Sequence, residues 1–157
     1  MTQPQRRIFL KGSLITALAA TVGSVLGLRP QGAHAADWNK DAFTAKKLDE
    51  AISSLFGTGQ MTPSASVKLK APAQAENSAQ VQIQVATDLP NVEAIAVFVE
   101  KNPSPLVAHA SFSGAEGFFS ARMKMAQTSD VVAVVKSAGK LYMAKQTVKV
   151  TVGGCGG

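Results

Sequence analysis

From Pro63 onward the chain runs in short segments of alternating apolar and polar residues with no helical stretch between them, and this pattern constrains the fold most. Ala65, Val67 and Leu69 alternate with Ser66, Lys68 and Lys70, and Val81, Ile83 and Val85 alternate with Gln82 and Gln84. Successive side chains of a strand point to opposite faces, so a period of two marks a strand buried on one face. Further segments at 92–99, 106–112, 118–125, 131–136 and 141–152 bring the predicted strands to seven. Turn residues separate them at Asn77-Ser78, Leu89-Pro90-Asn91, Asn102-Pro103-Ser104-Pro105, Gly114 and Ser137-Ala138-Gly139-Lys140. With no helix available for a crossover, parallel pairing is excluded. The expected fold is all-β, an immunoglobulin-like antiparallel sandwich of about seven strands. The chain has a single cysteine, so no disulfide can join the sheets. The 92–99 segment is apolar almost throughout, which fits either a central strand or a surface needing cover from another protein.

Before the strands the period is helical. Trp38, Ala42, Ala45, Leu48, Ile52 and Leu55 recur at three- and four-residue steps with charged residues mainly between them, which predicts one amphipathic helix over 38–56. Asp37 is placed to cap its start and Gly57 with Gly59 to end it. The aromatics Trp38, Phe43 and Phe56 are read as ordinary packing.

A formal charge of +6 raises the question of nucleic-acid binding. Four of the 16 basic residues, Arg6, Arg7, Lys11 and Arg29, precede Ala36, where no acid stands, so the remaining 12 face all 10 acids. The excess belongs to a leader. Arg6-Arg7-Ile8-Phe9-Leu10-Lys11 precedes an uncharged stretch from Gly12 to Leu28, the pattern of a twin-arginine export signal, although Gln5 stands where Ser or Thr is common. Ala33-His34-Ala35 supplies the small residues of a cleavage site, so the mature protein is expected to begin at Ala36. Seventeen residues interrupted by Gly23 and Gly27 make a poor membrane span, and none is expected after cleavage. The expected organisation is a signal peptide at 1–35, helix and linker at 36–62, a sandwich at 63–152 and a terminal arm at 153–157. Export of a folded protein suggests a partner bound beforehand, since the mature chain has no metal-ligand cluster and no cofactor is expected.

Little in the mature chain points to catalysis. His109 is its one histidine, between Ala108 and Ala110 on a strand and facing away from both, and is read as structural. The exception is Gly153-Gly154-Cys155-Gly156-Gly157, which places a thiol beyond the last strand where no neighbouring side chain can bury it. Free cysteines usually lie in cores. The four glycines leave this one on a thin, conformationally free peptide able to enter a narrow channel. An ordinary thiol has a pKa near about 8.5, and the tail holds no cation to lower it, so activation must come from other proteins. The residues thus describe a passive covalent carrier. A structural sandwich with an incidental cysteine and an exported thiol–disulfide redox partner are the alternatives. Prenylation needs three residues after the cysteine, and two are present. Carriers ending in a Gly-Gly thiocarboxylate need ATP-dependent activation and have a mixed sheet with a crossing helix.

The chain resembles the SoxY family, the sulfur-binding subunits of the periplasmic sulfur-oxidation (Sox) system. The resemblance rests on the terminal GGCGG, the twin-arginine leader, Ala75-Glu76-Asn77, Glu100-Lys101-Asn102-Pro103-Ser104-Pro105, and the segment from Arg122-Met123-Lys124-Met125 to Ala126-Gln127-Thr128-Ser129. Ser78 stands where Gly is expected, a departure confined to the local turn. The resemblance implies a non-enzymatic carrier that works as a heterodimer with SoxZ and holds thiosulfate-derived sulfur on Cys155. Loading by the SoxAX cytochrome complex, release of sulfate by the SoxB hydrolase and, where present, oxidation by the SoxCD sulfur dehydrogenase are implied with it.

Overall fold

The computed structural model describes residues 38–151. Two helices, α1 (Lys40–Thr44) and α2 (Leu48–Phe56), precede nine strands. These are β1 (Thr62–Pro63), β2 (Val67–Lys70), β3 (Gln74–Ala75), β4 (Val81–Thr87), β5 (Val92–Val99), β6 (Leu106–Ser111), β7 (Phe118–Met123), β8 (Ser129–Ser137) and β9 (Lys140–Val150). The larger sheet has the order β1-β9-β8-β5-β6, with β3 also on β9, and the smaller is β2-β4-β7. All seven predicted strands are present in an all-β sandwich. The two additions, β1 and β3, are two residues each and pair with β9 in parallel, which corrects the exclusion of parallel pairing. No crossover helix is needed, because Thr62 meets Tyr142 and Gln74 meets Lys149 only after the rest of the sandwich has intervened.

The single helix expected over 38–56 is two. The backbone turns extended at Ala45 (φ −53°, ψ 145°) and remains so at Lys47. The Thr44 hydroxyl donates back to the carbonyls of Lys40 and Asp41, and the Ala45 amide makes the last helical bond, to the Asp41 carbonyl at 2.9 Å. Asn39, not Asp37, caps α1: its Oδ1 accepts from the Ala42 amide at 3.0 Å, and its Nδ2 donates to the Ser54 carbonyl at 2.6 Å, tying the helices together. Asp37 lies outside the described residues. Gly57 ends α2 in the left-handed region (φ 75°), as expected. Trp38 is 65% exposed and stacks on Phe43 at 4.9 Å, so it is not a core residue.

Ile95, Val97, Val99, Val131, Ala133 and Val135 face the small sheet's Val67, Val81, Ile83, Val85 and Met123. Ala96, Phe98, Leu106, Val132, Val134 and Leu141 face the opposite way and are covered by Ala42, Ala51 and Ile52 of the helices. β5 is therefore central and buried on both faces, which explains its nearly unbroken apolar run. Each Val, Ile, Leu, Phe or Met side chain among these contributes about 1.5–3 kcal/mol on removal from water. The face that could have needed a second protein is covered by the chain's own helices.

Candidate functional site at the root of the arm

Cys155 and its neighbours Gly153, Gly154, Gly156 and Gly157 lie outside the described residues, as do Arg6 and Arg7. What the structure places is the end of β9 and Thr151, the last described residues before that segment. β9 runs away from the β8–β9 turn and ends at Val150, beside β3 and the segment before Ser129. Three loops meet there. The Asn102 side chain donates to the Lys124 carbonyl at 2.9 Å and accepts from the Ala126 amide at 2.8 Å. The Ser129 hydroxyl accepts from the Lys101 amide at 3.0 Å, and the Met125 amide donates to the Ser78 carbonyl at 2.8 Å. Thr151 donates through its amide and its hydroxyl to the Ala75 carbonyl, at 3.2 and 3.3 Å.

The three internal segments that carried the resemblance, beginning at Ala75, Glu100 and Arg122, are thus the ones cross-bonded around the arm's root. Sequence reading singled out the segments but not the reason: Asn102 and Ser129 stitch loops more than twenty residues apart. Asn followed by Pro reads only as a turn, so the side chain's bridging role has no local signal. Ser78 stays outside the positive-φ region, and Asn77 forms the turn by accepting from the Ala79 amide at 2.9 Å. The turn therefore does not require glycine.

The charges nearby are mostly solvent-facing. Lys101, Arg122, Lys124 and Lys149 are exposed. Asp130 pairs with Lys145 at 2.9 Å. The Thr147 hydroxyl, and then the Lys145 ammonium, hold the Asp130 carboxyl below the usual carboxylate range, and Lys145 is raised in turn. His109 lies elsewhere, on the edge strand β6 opposite Ala96, with its ring edge-on to Phe56 at 6.3 Å. The residue is exposed, and partial desolvation of its ring lowers its pKa below the ordinary value of 6.5. It faces away from Ala108, which packs into the inter-sheet core, as the alternation predicted.

An open cleft of about 630 Å³ lies at the opposite end, lined among others by Thr87, Val92, Gly117 and Phe118. Leu141 to Val150 separates the two ends by nine strand residues, or about 30 Å. Cys155 is four residues beyond Thr151, a reach of about 13–14 Å, so the cleft lies beyond the thiol's reach along its own body. Among the described residues no group of three His, Cys, Asp or Glu could hold a metal, and no helix is long and apolar enough to cross a membrane.

Comparison with known proteins gives a consistent identification. The family model "Sulfur oxidation protein SoxY" matches residues 52–155, a span running from α2 through the sandwich to Cys155. Among solved structures, the chain is similar to the sulfur carrier protein SoxY from Chlorobium limicola f thiosulfatophilum, with 42% identity and a TM-score of 0.62 over 68% of this chain and 97% of that one. It is also similar to a superoxide reductase (neelaredoxin) from Ignicoccus hospitalis, with 20% identity and a TM-score of 0.49 over 65% of this chain and 87% of that one. Among curated proteins none matches. With more than half its length matched by the family model, and a SoxY structure at this identity sharing its sandwich, the chain belongs to the SoxY family of sulfur oxidation proteins.

Proposed function

We propose that this protein is the covalent sulfur carrier of a Sox system and that Cys155 is its attachment point. The observation that carries the reading is the extent of the family match, which continues past the sandwich to residue 155. Four glycines around the thiol leave the backbone narrow, which suits insertion into another protein's active-site channel. A thiol without a neighbouring cation in its own segment is a weak nucleophile at neutral pH, so its chemistry belongs to the enzymes that receive it.

In this reading the SoxAX cytochrome complex joins thiosulfate to Cys155: a sulfur–sulfur bond forms, the thiol proton leaves, and two electrons pass to the cytochrome. SoxB then hydrolyses the terminal sulfone as sulfate, and SoxCD, where present, oxidises the remaining sulfane sulfur while Cys155 stays attached. The protein itself performs no catalytic step. SoxZ is its heterodimer partner, and the complex is exported to the periplasm through the signal containing Arg6 and Arg7.

The test is intact mass measurement of the mature chain purified with SoxZ after incubation with thiosulfate and the cytochrome complex. A thiosulfonate adduct on the native chain, absent from folded Cys155→Ser, is expected. A glutathione or dimer disulfide as the sole modification would instead favour a thiol–disulfide redox partner. Normal thiosulfate turnover by Cys155→Ser would overturn the carrier reading.

A further inference from the structure

Backbone pairing between β8 and β9 ends where Ser129 meets Val148, yet the next three residues of β9 are not free. Their amides are held from alternating sides. The Lys149 amide donates to the Ala73 carbonyl at 3.0 Å, and the Thr151 amide to the Ala75 carbonyl at 3.2 Å, both on the β3 side. Between them the Val150 amide points back toward β8, where it donates to the Thr128 hydroxyl at 3.0 Å. A side chain thus takes the place of the missing strand partner. It is itself fixed, because Ser129 and Gln127 on either side are bonded to the Lys101 backbone. Val150 adds partial burial against the inter-sheet core.

We propose that Thr128 is a positioning residue for sulfur transfer: with β3 it clasps Lys149–Thr151 and sets the pivot of the arm at Thr151. The proposal rests on the carrier reading of Cys155. With the clasp closed, four residues separate pivot from sulfur, a reach of about 13–14 Å. With it open the pivot retreats to Val148, and seven residues reach about 23–25 Å. Lengthening a tether beyond its needed span dilutes the tethered group roughly as the −3/2 power of length, and at most in proportion to the volume swept. That corresponds to about a twofold to sixfold fall in effective thiol concentration at an enzyme docked on the body. The chemical step within the channel is unaffected. The clasp therefore acts on kcat/KM for the carrier, through delivery of the thiol and not through the chemical step.

The experiment compares the native chain, Thr128→Val, Thr128→Ser and a chain with three glycines inserted after Thr151, each mature and in complex with SoxZ. Valine keeps the shape and removes the acceptor, while serine keeps the hydroxyl. Amide exchange at Val150 and Thr151, thiosulfate loading by the cytochrome complex against carrier concentration, and labelling by a small thiol reagent are measured. In Thr128→Val, exchange is expected to quicken about twofold to tenfold, the yield of one lost hydrogen bond. Because the bonds of Lys149 and Thr151 to Ala73 and Ala75 remain, its kcat/KM is expected to fall part of the way toward that of the three-glycine chain, itself lowered about twofold to sixfold, with labelling unchanged and Thr128→Ser like the native chain. Unchanged exchange in Thr128→Val, faster exchange with a native kcat/KM, or a native kcat/KM in the three-glycine chain would each overturn the proposal. Failure of the native chain to accept thiosulfate at Cys155 would instead overturn the carrier reading, and the proposal with it.

Discussion

Ile52→Ala tests whether the outer face of the large sheet is covered from within the chain. Ile52 is fully buried and belongs to the cluster in which α1 and α2 meet Ala96, Phe98, Val132, Val134 and Leu141. Truncation removes the transfer free energy of the lost carbons and leaves a cavity that a flat sheet surface cannot readily fill, together about 3 kcal/mol within a usual range of about 2–5. Unfolding entropy near about 2.1 cal/mol/K per residue gives the roughly 114 residues from Trp38 to Thr151 about 0.24 kcal/mol/K. The expected fall in Tm is therefore about 12 °C. Leu55, half-buried against the same cluster, should cost about a third as much when changed to Ala, and exposed Ser53 almost nothing. The assay is thermal and urea unfolding of the chain from Ala36 onward, followed by circular dichroism. If Ile52→Ala unfolded with Ser53→Ala, the helices would not cover the sheet and the three-layer arrangement would be wrong.

Two further outcomes follow from local geometry. Ala138 precedes Gly139 in the two-residue β8–β9 turn with φ 48°, a conformation that asparagine tolerates better than alanine. Ala138→Asn should raise stability by about 0.5–1 kcal/mol in urea titration, and a loss would refute the turn assignment. His109 has a folded-state pKa lowered from 6.5 by partial desolvation of its ring, so the unfolded chain binds the extra proton more readily. Its contribution is therefore fully present above 6.5 and is lost as pH falls through the lower folded value. His109→Gln should flatten the decline of Tm below pH 6.5, and an unchanged slope would count against the packing of that ring.

The parts of the fold legible in the sequence were those with a local period. Seven strands announced themselves by alternation, and Gly57 by its place after the last helical apolar residue. The break at Ala45 was not legible, because Trp38 to Leu55 keeps a helical period straight through the extended residues Ala45 and Lys47. β1 and β3 were invisible for another reason. Two residues carry no period, and their partner lies some eighty residues downstream. The 92–99 run read as buried but did not say by what, since the covering helices precede it by forty residues. For the site, the glycine-framed thiol on which the carrier reading rests is a feature of the sequence alone and lies outside the described residues. Thr128 was not legible, because a surface threonine before a strand has no distinctive spacing.

The position of β9 also bears on the order in which the protein can acquire its structure. It is the last strand made, yet it joins the large sheet to both short early strands: β1 pairs at Tyr142 and Met143, and β3 at Lys149 and Val150. Pairings this far apart close long loops and form slowly. The hairpins from β4 to β8 can assemble as the chain emerges during synthesis, but the large sheet cannot be completed until β9 is available. The clasp at Thr128 and Ala75 thus joins the newest residues to much older ones. A truncated or half-folded chain lacks it. The same contacts that hold the end of β9 therefore mark a molecule that has finished folding, a feature that only the completed protein possesses.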